Sequence, residues 1–347
     1  MSKTKAYAAL SPTTPLVPFE VDRREPGPSD VVIDLAFCGV CHSDVHQARD
    51  EWGGALFPMV PGHEMVGTVV RVGAAVTKFK VGDRAGVGCM VDSCRTCASC
   101  RQDLEQFCQK GAAFSYNGTE MDRKTPTFGG YSKQVVVTEA FVLKVSPKLD
   151  LAGAAPLLCA GITTWSPLRH WKAGPGQRVG VVGLGGLGHM AVKLAASLGC
   201  EVTMLSTSKA KEADARRLGA TQFALTSEKG ALKRLAGTFD LILDTISAPH
   251  DYNAYLGTLK VNGTMVLLGV PPQPAPVAAF ALISGRRSLA GSLIGGIAET
   301  QEMLDHCAAH GITSDVEVVP VQQVNVAYER MLKNDVRYRF VLDLATL

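Results

Sequence analysis

Hydrophobic and polar positions follow two different rhythms along this chain. Up to about position 150, short runs rich in β-branched residues are cut apart by Gly, Pro and Asp. VVIDLAF (31–37), MVGTVVRVG (65–73), YSKQVVV (131–137) and FVLKV (141–145) are each long enough for a strand and too short for a helix. They predict an irregular β-rich domain. From Arg178 the pattern changes. RVGVV, EVTMLS, TQFAL, FDLILDTI, GTMVLLG and SLAGSL read as six apolar strands. Between them helical patterns run near 191–198, 210–218, 230–235, 251–259 and 277–284. Strands apolar on both faces, joined by helical crossovers, predict an α/β fold with a doubly wound parallel sheet. Beyond about Gly291, the helical ETQEMLDHCAAHGI and the closing YRFVLDL strand have another texture. The tail is expected to rejoin the first domain. The predicted division is 1–152 with 291–347 around an inserted 153–290.

Composition narrows the class. With 347 residues and 46% apolar content, the chain has enough material for two domains with cores of their own. The net charge is only +3 and basic residues are scattered among acidic ones, so no nucleic-acid partner is expected. The most apolar long window, 179–198, is broken by glycines, His189 and Lys193, which argues against a membrane span. No secretory signal pattern precedes position 20, and a cytoplasmic protein is expected. In a reducing compartment, clustered cysteines hold metal more often than they form disulfides.

VDSCRTCASCRQDLEQFC (91–108) spaces Cys94, Cys97 and Cys100 three apart and adds Cys108 eight later. Four thiolates within fifteen residues fill every position of a zinc tetrahedron, leaving none for water or substrate. The expected result is a structural lobe at about 89–112. A second set is scattered: Cys41 in CGVCHSDVHQ, His63 and Glu64 in PGHEMVG, and Cys159 in APLLCAGITTW. Each alone reads as readily as an ordinary core residue. Together, Cys41, His63 and Cys159 make a three-ligand set with an open fourth position, suited to polarising a carbonyl. Cys38, Cys89, Cys200 and Cys307 read as packing residues.

VGVVGLGGLGHM sets Gly183, Gly185 and Gly188, with Gly186 and Leu187 between them, after a strand and into a helix. Glycines there permit a tight turn, close approach of a pyrophosphate and close helix–strand packing. A bare glycine turn would say little; its place in a strand–loop–helix unit makes it a dinucleotide loop. At the end of the second strand, a site for NAD presents a carboxylate to the ribose. Here stand Ser206, Thr207 and Ser208, then Lys209 and Lys211. Hydroxyls and ammonium groups suit a 2′-phosphate, so NADP(H) is expected. An ordinary helix start with solvated lysines remains the alternative.

Taken together and in order, GHEMVGTVVRVGAAV, CGVCHSD, the four-cysteine spacing and GLGGLG resemble the zinc-dependent medium-chain dehydrogenases. GVCHSDVHQARDEWG, APLLCAGITTWSPLRHW and GSLIGGIAETQEML resemble the cinnamyl-alcohol-dehydrogenase branch, particularly its bacterial broad-range aldehyde reductases. The resemblance implies a discontinuous GroES-like catalytic domain around a Rossmann domain. It implies catalytic zinc on Cys41, His63 and Cys159, with Glu64 as an alternative ligand and Asp44 accepting from the His63 ring. It implies structural zinc on Cys94, Cys97, Cys100 and Cys108. Ser43 and His46 match a proton relay, although they also read as a capping hydroxyl and a surface imidazole. His42, Thr163 and Arg339 match cofactor contacts. Trp52, Phe114, Leu293 and Ile294 match the wall of a substrate channel. The implied activity is NADPH-linked reduction of aldehydes to primary alcohols, by a homodimer carrying two zinc ions per chain. An NAD-dependent zinc polyol dehydrogenase is disfavoured by the missing carboxylate. A zinc-lobe interaction protein or a zinc-free quinone reductase would have lost ligands or relay residues, all of which are present here.

Overall fold

Strand Asp30–Gly39 organises the first part of the fold, and most of its side chains are buried along its length. It meets neighbours on both edges. Met65–Val72 runs antiparallel to it with Ile33 opposite Val69, and Gln134–Thr138 pairs with its first half. Arg339–Asp343 pairs with its last residues, with Val341 opposite Gly39. Arg84–Val87 and Leu143–Lys144 continue the sheet on one side and Val316–Pro320 on the other. A strand from the last ten residues is thus hydrogen-bonded to one near the start. The computed structural model describes residues 2–347 and divides them into 2–162 with Gly295–Leu347, and Thr163–Ile294.

These junctions differ from the expected 152/153 and 290/291. The helix Leu151–Ala154 and the 3-10 turn Ala155–Leu158 pack on the first sheet and bury Leu157 and Leu158, so they belong to it. In the second unit all six strands are parallel. Their spatial order is Gln222–Leu225, Glu201–Ser206, Arg178–Val182, Phe239–Asp244, Leu259–Leu267 and Ser288–Gly291. That order reverses beside Arg178–Val182, which marks the ligand-binding end of a Rossmann sheet. Val182, Leu205, Ile242, Leu256 and Met265 form the core on one face.

Several elements lay outside the sequence expectation. Ser2–Ala8 pairs with Val17–Arg23 as a separate ribbon, and Val324–Leu332 is a helix. YSKQVVV is a strand only from Gln134, because Gly129, Gly130 and Tyr131 are bonded to the segment Val60, Pro61 and Gly62 instead. Among the described residues no single helix is long and apolar enough to cross a membrane.

Candidate active site

Three strand ends meet where the chemistry-bearing residues lie. Asp30–Gly39 ends beside the start of Met65–Val72, and Gly39 N–H donates to the Glu64 carbonyl (3.0 Å). Arg339 opens the strand on the other edge, and Val40 N–H donates to Phe340 O (2.9 Å). Cys41 follows Val40 as the cap of helix His42–Ala48, and Cys159 follows the 3-10 turn Ala155–Leu158. Ligand atoms of Cys41, His63, Glu64 and Cys159 all lie within 4.8 Å of one another, and all four residues are buried. A Cβ on Gly39 would collide with the Glu64 carboxylate, so any larger residue there would displace it.

This set is electron-rich and nearly dry. Burial pushes the Glu64 carboxyl up to about 7 against the pull of Arg339, whose guanidinium pairs with its Oε1. Glu64 Oε2 has no protein partner. A hydrogen bond between the Cys41 and Cys159 thiols lowers the first and raises the second. Two such thiols, an imidazole and a carboxylate oxygen without a partner fit a divalent cation. Asp44 backs them: Oδ2 accepts from Cys41 N–H (2.9 Å), and Oδ1 accepts from Gly62 N–H (3.0 Å) and from His63 Nδ1 (3.2 Å). That bond fixes the tautomer and leaves Nε2 to ligate.

In the lobe, the sulfurs of Cys94, Cys97, Cys100 and Cys108 also lie within 4.8 Å of one another. Backbone N–H groups of Cys97, Gln109 and Cys94 point at the sulfurs of Cys94, Cys97 and Cys108, at 3.4, 3.4 and 3.5 Å. Such donors hold Cys94 down to about 6, while burial drives Cys100 up to about 12. A cation would reconcile the two, and four sulfurs close its coordination.

The second unit carries the glycine loop. Gly183 has φ +89°, and a Cβ on Gly188 would collide with Gly183 O. A Cβ on Gly185 would meet nothing in the protein, so the space it leaves fits a dinucleotide pyrophosphate above the helix Gly186–Ser197. Gly186 and Leu187 form the first turn of that helix. Ser206 Oγ is turned into its own loop, accepting from Ser208 N–H (3.2 Å), and Thr207 is exposed. Lys209 pairs with Glu212, and Lys211 Nζ donates to Leu184 O (2.7 Å).

The profile described as "Alcohol dehydrogenase GroES-like domain" matches residues 27–147, and that described as "Zinc-binding dehydrogenase" matches 186–309. NADP-dependent alcohol dehydrogenase C 1 of Mycolicibacterium smegmatis is 55% identical over 100% of this chain and 99% of its own. This chain belongs to the zinc-binding alcohol dehydrogenases. Aldehyde reductase YahK of Escherichia coli is 52% identical over 99% of both chains. A cinnamyl alcohol dehydrogenase structure from Sorghum bicolor superposes with a TM-score of 0.96 at 46% identity, covering 99% of this chain and 98% of that one.

Within this alcohol dehydrogenase, Ser43 is half-buried, its Oγ 3.7 Å from Cys41 Sγ, and His46 stands three residues on along the same short helix. His46 Nδ1 bonds Glu51 Oε2 (2.5 Å), and its ring stacks on Trp52 at 5.0 Å. Sequence reasoning passed over Glu51, although its five-residue offset was visible. Cys89, read as a packing residue, lies half-buried beside the set of Cys41, His63, Glu64 and Cys159, with its thiol 3.9 Å from Leu158 O. Arg339 is buried and its guanidinium pairs with Glu64. His42 is exposed and Thr163 is buried in the helix Ala160–His170. Trp52, Phe114 and Leu293 expose large apolar side chains. Ile294 has φ +39°, which β-branched residues seldom adopt.

Proposed function

We propose that this enzyme reduces aldehydes to primary alcohols with NADPH, and runs in reverse as an alcohol dehydrogenase. The observation that carries the reading is the buried set Cys41, His63, Glu64 and Cys159, with Asp44 behind His63. Zinc bound there supplies a Lewis acid for the carbonyl, and NADPH supplies hydride. Cys41, His63 and Cys159 hold the ion and orient the substrate oxygen, with Glu64 as the alternative donor. Ser43 hands a proton to that oxygen, and His46, braced by Glu51, returns one from solvent. Trp52 and Phe114, with Leu293 and Ile294, offer apolar surface to aromatic and aliphatic aldehydes. Gly183, Gly185 and Gly188 take the pyrophosphate, and Ser206, Thr207, Ser208 and Lys211 take the 2′-phosphate. His42, Thr163 and Arg339 are further cofactor contacts in this reading. The lobe zinc is structural.

None of the ten cysteines is paired in a disulfide, which suits a reducing cytoplasm. The open edge strand Ser288–Gly291, near exposed Phe280 and Ile283, supports a homodimer. The activity is tested by steady-state rates across an aldehyde panel with NADPH and with NADH. Turnover with NADPH is expected, and Cys159→Ala is expected to abolish it while keeping the fold. Near-wild-type rates in Cys159→Ala would sink the catalytic assignment.

A further inference from the structure

We propose that Tyr131 is a positioning residue for the metal-binding histidine, acting through Asp44; this rests on the catalytic-metal reading above. His63 ends a loop with little secondary structure of its own. What holds that loop is the segment 129–131. Gly129 N–H donates to Val60 O (2.8 Å), Gly130 N–H to Gly62 O (2.9 Å) and Tyr131 N–H to Pro61 O (2.9 Å). Gly62 has φ +104°, and a Cβ there would lie 2.7 Å from Tyr131 Cδ1, so ring and loop are in direct contact.

The hydroxyl adds something the ring alone does not. Tyr131 is fully buried, and its O–H donates to Asp44 Oδ2 (3.1 Å). Asp44 is fully buried as well, and it also accepts from Cys41 N–H, Gly62 N–H and His63 Nδ1. Those three belong to the segments that carry the metal ligands. Tyr131 is the outside reference that orients the carboxylate, so Oδ1 meets the imidazole while Oδ2 is occupied. The segment is held in turn from behind. Arg23, itself buried, donates to Phe128 O (2.6 Å), Gly129 O (3.0 Å) and Ser132 Oγ (2.7 Å). The chain of contacts therefore runs from Arg23 through segment 129–131 to Asp44 and on to His63. Phenylalanine would fill the same space, leaving unmade the orienting bond to Asp44 and the longer one that the Tyr131 hydroxyl accepts from Tyr328 O–H (3.5 Å).

The test uses the zinc-loaded enzyme and its two metals as mutual controls. Metal release into an excess of chelator is followed for wild type and Tyr131→Phe, and cobalt-substituted protein gives the visible spectrum of the catalytic site. In Tyr131→Phe the catalytic metal is expected to leave about tenfold faster, the low end for a partner behind a ligand, with a shifted cobalt spectrum. The lobe metal is expected to leave at the wild-type rate. Release within twofold of wild type, or equal acceleration at both sites, overturns the proposal. A wild type holding a single metal, in the lobe, overturns the catalytic-metal reading and this proposal together. If Tyr131→Phe proves insoluble, Arg23→Lys removes the support behind segment 129–131, and a few-fold faster loss of the catalytic metal alone is expected. An unchanged release rate there overturns the proposal equally.

Discussion

Lys209 and Lys211 stand two positions apart and do different things. Lys209 is 71% exposed at its side chain and paired with Glu212, so its charge is screened and spoken for. Lys211 is half-buried with its ammonium on the carbonyl of Leu184, inside the loop that approaches a dinucleotide. One charge-assisted contact contributes roughly 1.5–3 kcal/mol, or about ten- to hundredfold in binding. Lys211→Met is therefore expected to raise the Michaelis constant for NADPH by about that factor and to leave NADH unaffected. Lys209→Met is expected to change either by less than about threefold. Ser206→Asp should go further and shift preference toward NADH, by placing a carboxylate at the end of strand Glu201–Ser206. Catalytic efficiencies with both cofactors decide it. Equal losses in the two lysine variants would mean that neither is specific to the 2′-phosphate.

Among the elements, helix Ile297–His310 shows how the lobe reaches beyond its own metal. Its Ncap residue, Gly296, has no side chain to satisfy the first amides. Glu105, from the lobe, does so instead: its Oε2 accepts from Ile297 N–H (3.1 Å). Gly296 lies so close to Asp103 that a Cβ would collide with the Asp103 carbonyl. A cap of this kind contributes about 1 kcal/mol. Glu105→Ala is expected to lower thermal stability by that amount and to speed hydrogen exchange of the Ile297 amide. Cys97→Ala, which breaks the metal cluster, should cost more and abolish most of the further effect of Glu105→Ala. Additive losses would show that the lobe and the helix are uncoupled. The sequence could not announce this bond, because 192 residues separate its partners. The same distance problem hid Tyr131 behind Asp44, at a separation of 87. By contrast, the Rossmann strands and the glycine loop were legible because periodicity and turn chemistry are local. The four-cysteine cluster was legible because its spacing is local, whereas Cys41, His63, Glu64 and Cys159 are scattered along the chain and only the fold brings them within 4.8 Å of one another.

For the whole molecule, the unexplained surface lies on the second unit. Phe280 and Ile283 are 78% and 68% exposed, and Val261 is 68% exposed. Beside them Ser288–Gly291 pairs with Leu259–Leu267 on one side only. An edge strand of Ser, Leu, Ala and Gly has no charge or proline to repel a second strand. Two copies related by a twofold axis would pair these edges antiparallel and cover the apolar side chains, a self-complementary arrangement that closes on itself. The chain mass is 36.8 kDa, so light scattering on the eluting protein is expected to report about twice that value. Phe280→Glu places like charges near the twofold axis, where they oppose each other and lose solvation. It should shift the protein toward monomer at micromolar concentration while leaving metal content at two per chain. Because the metal ligands all lie in the first unit, any loss of turnover would then have to come through the cofactor unit. It would appear first as a raised Michaelis constant for NADPH. A wild-type protein that stays monomeric across the micromolar range would remove the dimer from the proposed function, and the exposed patch would then need another partner.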